Sequence, residues 1–327
     1  MDDLGLCGAR QRYGMLGKTT VSGGVMSDTA VPATESGAGS VNPPILVGAD
    51  GSEISYQAVA WAATEAAARG CPLHIVVSYA LTIGMGPVPE LSEADQRAVR
   101  EQATQVLADA ERMARLTVPG DTLPITTELI FELIAPALID RSSHARLVVV
   151  GSRGLGAVRR AILGSVSIAL ARHAHCPVVV VHGDPEAAAD GKPIVVGVDR
   201  TANSVPAIEL AFEEAALRKA DLIAVHSWSD SSGFDLPVMG WEAIRATEDK
   251  LLGAALSEYR KRYPEVVVRQ VVASDTPARA LLELAEDAQL VVVGSHGRGG
   301  FAGMVLGSVS TTMLHSAHCP VLVVRSS

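Results

Sequence analysis

The chain is written twice, and that repetition constrains its fold more than any other feature. Pro44-Ile45-Leu46-Val47-Gly48-Ala49-Asp50 recurs as Pro193-Ile194-Val195-Val196-Gly197-Val198-Asp199. Leu147 to Ser152 reads LVVVGS, and so does Leu290 to Ser295. LGSVS at Leu163 to Ser167 returns at Leu306 to Ser310, and AHCPV at Ala174 to Val178 returns at Ala317 to Val321. Matched blocks in the same order, offset by about one small-domain length, mark a duplicated domain.

Each copy alternates short apolar runs with helical patterns. In the first, strands are expected near 45–49, 73–79, 125–131, 147–151 and 177–182, and helices near 53–69, 91–116, 135–143 and 165–174. In the second, strands are expected near 194–198, 221–227, 265–272, 290–294 and 320–325, and helices near 204–219, 241–262, 277–287 and 308–316. Apolar strands separated by helices need crossover connections, which predicts an α/β fold. The expectation is two tandem, doubly wound, parallel five-stranded sheets with helices on both faces, in the flavodoxin/Rossmann manner. Aromatics are only 4% of the chain while hydrophobic residues are 48%, so Val, Leu, Ile and Ala must build the cores, as suits parallel sheets.

The expected division is a leader over 1–42, a domain over 43–182, a linker over 183–192 and a domain over 193–327. The linker is marked by Gly183, Asp184, Pro185 and Gly191. The leader is rich in Gly, Ser, Thr and Ala, lacks the apolar run of a signal peptide and reads as disordered, with Met26 an alternative start. Apolar runs reach strand length and no further, so no membrane span is expected. A net charge of −9 argues against a nucleic-acid or anionic-membrane surface. Cys7, Cys71, Cys176 and Cys319 form no C-x-x-C pair and read as free thiols in a reducing cytoplasm.

Ligands of such sheets bind beyond the carboxyl ends of the strands, where the strand order reverses. The unusual residues follow the first and fourth strands of each copy. Gly151-Ser152-Arg153-Gly154 is followed, nine residues on, by Gly164-Ser165-Val166-Ser167; Gly294-Ser295-His296-Gly297 is followed at the same spacing by Gly307-Ser308-Val309-Ser310. Gly151 and Gly154 could take positive φ and bring backbone close to a polyphosphate. Gly164 and Ser165 open a helix whose first N–H groups point outward, as an anion site requires, and Ser165 or Ser308 could cap that helix as well as meet phosphate. The plainer alternative is that the glycines shape a turn and the serines cap. No Lys follows Gly164 or Gly307, so the motif is not a Walker A loop.

With these motifs, the Asp ending the first strand and the closing C-P-V-x-V-V strand, the chain resembles the universal stress protein family, in its tandem, ATP-binding branch. The resemblance covers about Pro44 to the end. It implies ATP as ligand in each copy, with Mg²⁺ as a possible companion, the glycine loop on phosphates and ribose, the Asp under the adenosine, and backbone at the second strand's end against adenine. Position by position it implicates Gly48, Ala49, Asp50, Ser78, Gly151, Gly154, Gly164, Ser165 and Val166, and in the second copy Gly197, Val198, Asp199, Ser227, Gly294, Gly297, Gly307, Ser308 and Val309. It also implies pairing of the copies within the chain as a pseudo-dimer, further homodimerisation, and a regulatory protein partner. One departure stands out: Asp50-Gly51-Ser52 becomes Asp199-Arg200-Thr201. Arg200 could reach phosphate or crowd the pocket, while Thr201 can still cap.

Other groupings carry alternatives. Asp50 and Asp199 could cap or turn instead of touching ligand, although Ser52 is available to cap in the first copy. Arg153, Arg159, Arg160, His296 and Arg298 flank the glycine loops, as phosphate contacts or as solvated charges. Ser167 and Ser310 complete the motif. His175-Cys176 and His318-Cys319, with His173 and His315 nearby, suggest metal, but neighbouring strand residues point to opposite faces; a buried thiol beside a surface imidazole is the reading preferred. The acidic helix from Glu90 to Glu111 reads as a solvated face. No nucleophile–base pair and no Walker-B-like carboxylate pair is visible, although Asp50 could help hold Mg²⁺ through water. The expectation is a nucleotide-dependent stress regulator or sensor; a slow ATPase, an adenylyl-transferring enzyme and a nucleotide-independent scaffold are the competing readings.

Overall fold

The computed structural model describes residues 42–80, 92–120, 122–154, 163–183, 191–228, 241–297 and 306–325. The leader up to residue 41 with Cys7, most of the expected linker, Glu90, Arg159, Arg160 and Arg298 lie outside the described residues. The first copy runs β1 (Ile45–Ala49), α1 (Glu53–Arg69), β2 (Leu73–Ser78), α2 (Glu93–Thr117), β3 (Ile125–Ile130), α3 (Ile134–Arg141), β4 (Leu147–Gly151), α4 (Ser165–His173) and β5 (Val178–Val181). The second runs β6 (Ile194–Gly197), α5 (Val205–Arg218), β7 (Leu222–Ser227), α6 (Trp241–Arg262), β8 (Val268–Ala273), α7 (Pro277–Ala285), β9 (Leu290–Gly294), α8 (Ser308–Ser316) and β10 (Val321–Val324).

Local chemistry sets these bounds. Ser52 caps α1, its hydroxyl accepting from the Ser55 amide at 3.2 Å, and Gly70 ends the helix at φ 59 with its N–H turned back to the last carbonyls. Ser92 and Asp95 close a capping box at the start of α2. At the end of α5 the left-handed position falls to Lys219 at φ 51, which glycine would occupy without steric cost.

The strands order β3-β2-β1-β4-β5-β10-β9-β6-β7-β8. The two expected five-stranded parallel sheets are thus halves of one ten-stranded sheet. They join where β5 and β10 pair antiparallel, Val178 opposite Val323 and Val180 opposite Val321. Either strand at an edge would offer a row of unpaired N–H and C=O groups on apolar side chains; pairing them satisfies both rows. Helices α1, α2, α5 and α6 cover one face, where Ile45, Val47 and Ala49 point, and α3, α4, α7 and α8 cover the other, where Leu46 points. Both layers run unbroken across the junction. Fully burying one such Val, Leu or Ile contributes about 1.5–3 kcal/mol.

One polar cluster interrupts the first layer. Glu65 and Arg69 on α1 meet Glu214 and Arg218 on α5, and each arginine contacts both glutamates. The two glutamate side chains are only 1% and 0% exposed. Burial, then the neighbouring Glu214, pushes the Glu65 carboxyl up to about 7 against the pull of Arg218 and Arg69.

Candidate functional site

The strand order reverses between β1 and β4, and again between β6 and β9, so the carboxyl ends of those strands diverge over a crevice. A cavity of about 930 Å³ lies there in the first half, and one of about 290 Å³ in the second. The first is lined by Gly48, Ala49, Asp50, Ser78, Gly151, Arg153, Gly154, Gly164, Ser165, Val166 and Ser167, among others. The second is lined by Gly197, Val198, Asp199, Ser227, Gly294, His296, Gly297, Gly307, Ser308, Val309 and Ser310, among others. The residues singled out in each copy therefore converge on one cavity per half.

Both cavities are built the same way. Beyond β1, Asp50 Oδ1 accepts from the Ser52 amide at 3.0 Å, turning the chain into α1; beyond β6, Asp199 Oδ1 accepts from the Thr201 amide at 2.8 Å. Ser52 caps α1 as expected, and Thr201 caps the short 3₁₀ turn Ala202–Ser204 that leads into α5. Beyond β4 the Gly164 amide donates to Ser152 O at 2.8 Å, and the Ser167 hydroxyl donates to Gly151 O at 2.8 Å. The second half repeats these bonds from Gly307 to Ser295 O at 2.7 Å and from Ser310 to Gly294 O at 2.6 Å. Ser167 and Ser310 thus pin the start of a helix to the end of a strand.

Two local expectations change. Gly151, Gly154, Gly294 and Gly297 do not take positive φ; among the described glycines that conformation belongs to Gly51, Gly70, Gly120 and Gly191. Space dictates the glycines instead. A Cβ on Gly151 would meet Ile54 Cγ2 at 2.5 Å and its backbone at 3.2 Å, and one on Gly154 would run into the Asp50 carboxylate. On Gly164 and Gly307 it would stand 3.3 and 3.2 Å from the carbonyl oxygens of Ser152 and Ser295. Nor do Ser165 and Ser308 cap. Gly164 and Gly307 are the N-caps of α4 and α8, without side-chain bonds, and the serines are the first helical residues, exposed at the cavity. A hydroxyl at that position lies past the point from which a cap reaches the orphan amides. The first amides of α4 and α8 are consequently without a side-chain cap among the described residues.

Arg200 does not extend into the second cavity. It sits at φ 61 and pairs with Glu248 on α6 at 2.6 Å. Ser78 Oγ donates to Glu132 O at 2.6 Å, whereas Ser227 Oγ and Asp199 Oδ2 are buried without a hydrogen-bond partner. Burial first, then Asp109 and Asp50, raises the Tyr56 phenol above its ordinary value, so it stays neutral beside Gly51. Cys176 and Cys319 are buried, their thiols pushed up to about 12 by desolvation, while His173, His175, His315 and His318 are exposed.

Sequence reasoning missed several cavity residues. Val99, Ala103 and Val106 on α2 line the first cavity, so the helix read as a solvated acidic face has an inner side whose apolar spacing of three and four was the available signal. Val77 and Leu138 complete that floor. In the second half His226 lines the cavity, 1% exposed; a lone His within an apolar strand was the clue.

Comparison with known proteins decides the family. The universal stress protein family pattern matches residues 42–182 and again 191–325. The chain belongs to the universal stress protein family. A universal stress protein of Mycobacterium tuberculosis is 45% identical over 302 residues, 87% of this chain and 95% of the relative. One of Mycolicibacterium smegmatis is 45% identical over 293 residues, 86% of this chain and 96% of the relative. The crystal structure of a universal stress protein from Archaeoglobus fulgidus superposes with a TM-score of 0.62 at 21% identity, over 87% of this chain and 97% of that one, which speaks for a common fold. In this member of the family no helix among the described residues is long and apolar enough to cross a membrane.

Proposed function

We propose that this universal stress protein is an adenine-nucleotide-binding regulator with one site in each half, ATP being the ligand of the larger, first cavity. The observation that carries the reading is the uncapped start of α4 and α8, each opening on a cavity beside a strand-end aspartate and a glycine loop, which in the first half has no room for a Cβ at Gly151 or Gly154. Free amides at a helix start attract phosphate through hydrogen bonds and the helix dipole, without a basic patch. Glycines at 151 and 154 leave the ligand a surface of bare backbone. Asp50 stands where a ribose would lie, and buried Asp199 Oδ2 and Ser227 Oγ in the second half lack protein partners, as groups meant for a ligand do. Mg²⁺, where it accompanies ATP, would find in the first cavity Asp50 as the one carboxylate among the described lining residues. That donor set suits a metal held mainly by phosphates and water.

The same scarcity of acids and bases favours binding over rapid turnover. The regulatory output would pass through a protein partner that senses nucleotide occupancy, and a second copy of the chain would extend the internal pseudo-dimer. Buried, unpaired Cys71, Cys176 and Cys319 suit a reducing cytoplasm.

Calorimetric titration of the full chain with ATP tests the reading, together with the Gly154→Ala variant, whose new methyl group would displace the Asp50 carboxylate. Wild type should bind, and gain about 2.7 kcal/mol of stability at a hundredfold excess over Kd. The variant should lose at least about tenfold in affinity at the first site while its unliganded melting point stays put. Absence of heat from any adenine nucleotide would sink the proposal. Turnover approaching 1 s⁻¹, an ordinary enzyme's rate, would instead move the site to the enzymes.

A further inference from the structure

The two cavities share a backbone plan but differ threefold in volume, about 930 against 290 Å³. Two matched positions of the lining carry larger side chains in the second half, and a third differs at the turn beside it. Val198 stands where the first half has Ala49, His226 where it has Val77, and Arg200 where it has Gly51. His226 Nδ1 lies 2.7 Å from Val198 O, which can only accept, so the ring donates there and turns Nε2 to within 3.4 Å of Glu248 Oε2. Glu248 also holds Arg200 at 2.6 Å. Gly51 takes the corresponding turn at φ 88 without steric cost, whereas Arg200 is held at φ 61, a conformation that bulky residues rarely adopt. Strain of this kind persists where surrounding contacts enforce it, and the Arg200–Glu248 ion pair is such a contact.

Charge runs the same way as size. Among the described lining residues of the first cavity Arg153 is the one permanent cation, set against Asp50. In the second, His296 replaces Arg153, Asp199 remains, and among the described lining residues there is no Arg or Lys. The charge of Arg200 is taken up by Glu248. Every phosphate added to a ligand brings negative charge that the second half is less equipped to meet. What the second cavity does keep is the uncapped α8 start, sufficient for one phosphate, and the unpartnered Asp199 Oδ2 and Ser227 Oγ, an acceptor and a hydroxyl at adjacent strand ends that suit a nucleoside.

We infer that the cavities are specialised: the first takes a nucleoside triphosphate and the second selects a nucleoside monophosphate, with His226 and the Arg200–Glu248 pair setting the difference. The inference rests on the adenine-nucleotide reading above.

The test uses the full chain and two probes, 8-azido-ATP and 8-azido-AMP, with the labelled peptides mapped by mass spectrometry and affinities taken by calorimetry. Azido-ATP should label the first half and azido-AMP the second, and the second site should prefer AMP to ATP by at least about tenfold. The triple variant Val198→Ala, Arg200→Gly, His226→Val should gain a second ATP site. Two ATP sites of equal affinity in wild type, or both probes labelling one half, would overturn the inference. A folded triple variant that still binds one ATP would remove His226 and Arg200 as its determinants; should the variant not fold, the wild-type labelling decides. Failure of both nucleotides to bind is a separate result, and it overturns the adenine-nucleotide reading along with this one.

Discussion

Replacing Arg218 with methionine removes one of the two guanidinium groups that lie between α1 and α5. In the folded chain that group contacts the Glu65 and Glu214 carboxylates and sits 5.0 Å from the centre of the Trp61 ring. Methionine fills similar space, so the lost charge dominates over lost packing. Taking one partner from a buried ion pair costs about 3–5 kcal/mol, because the remaining charge is stranded out of water. Arg69 still touches both glutamates, which places the expected loss at the lower end, about 3 kcal/mol near pH 8. The cost should also depend on pH in a definite sense. Burial first, and Glu214 second, raises Glu65 from an ordinary 4.5 to about 7 in the folded chain. An acid raised by folding favours the folded state most when protonated. Its contribution is fully present below about 4.5 and is lost as pH rises through about 7. Arg218 is among the groups that hold Glu65 down, so the variant raises it further, and the deficit relative to wild type should be small at pH 5 and full at pH 8. Urea denaturation at the two pH values, read as the shift in midpoint at constant slope, measures it. A deficit below about 1 kcal/mol at pH 8, or one equal at both pH values, refutes the reasoning. Replacing all four residues by Leu and Met should be neutral or stabilising, because no charge is then left behind.

Lys219→Gly should stabilise the chain by about 1 kcal/mol, since it relieves a left-handed residue at the end of α5 that the first half supplies as Gly70; a lower urea midpoint would contradict this. Cys176 and Cys319, held near 12, should react with a thiol reagent at pH 8 only as fast as the protein unfolds, and prompt modification of either would show that the folded chain exposes them.

Much of the fold was readable because the repeat supplies each element twice. LVVVG at Leu147 and again at Leu290 gave both fourth strands to the residue, and Ser52 was readable as the cap that opens α1. What stayed hidden depends on contacts distant in sequence. The antiparallel pairing of β5 with β10 is written in two apolar runs that look like any buried strand. The pairs Glu65 to Arg69 and Glu214 to Arg218 are plain at helical spacing, but spacing cannot say that the two pairs meet. Local geometry misled at the glycine loop: a Gly-rich segment suggests positive φ, while Gly151 and Gly154 are needed because Ile54 and Asp50 occupy the space a Cβ would take.

The two copies also separate folding from ligand choice within a single chain. Gly151 and Gly294, like Gly164 and Gly307, are identical between copies, and at each a Cβ would stand 3.2–3.3 Å from main-chain atoms, closer than ordinary contact. Ser167 and Ser310 are identical too, and each ties a helix start to a strand end. These positions make the cavity possible, whatever it holds. Among the positions that differ between the copies, Val77 to His226, Ala49 to Val198 and Arg153 to His296 line the cavities and Gly51 to Arg200 lies at the turn beside them, where a new side chain alters volume and charge without breaking the frame. One of them, Arg200, is held in a left-handed backbone conformation and paired with Glu248 on the next helix. A kept frame with an altered lining is what the proposed specialisation of the two cavities requires, and labelling of the two halves by different nucleotides is its direct consequence.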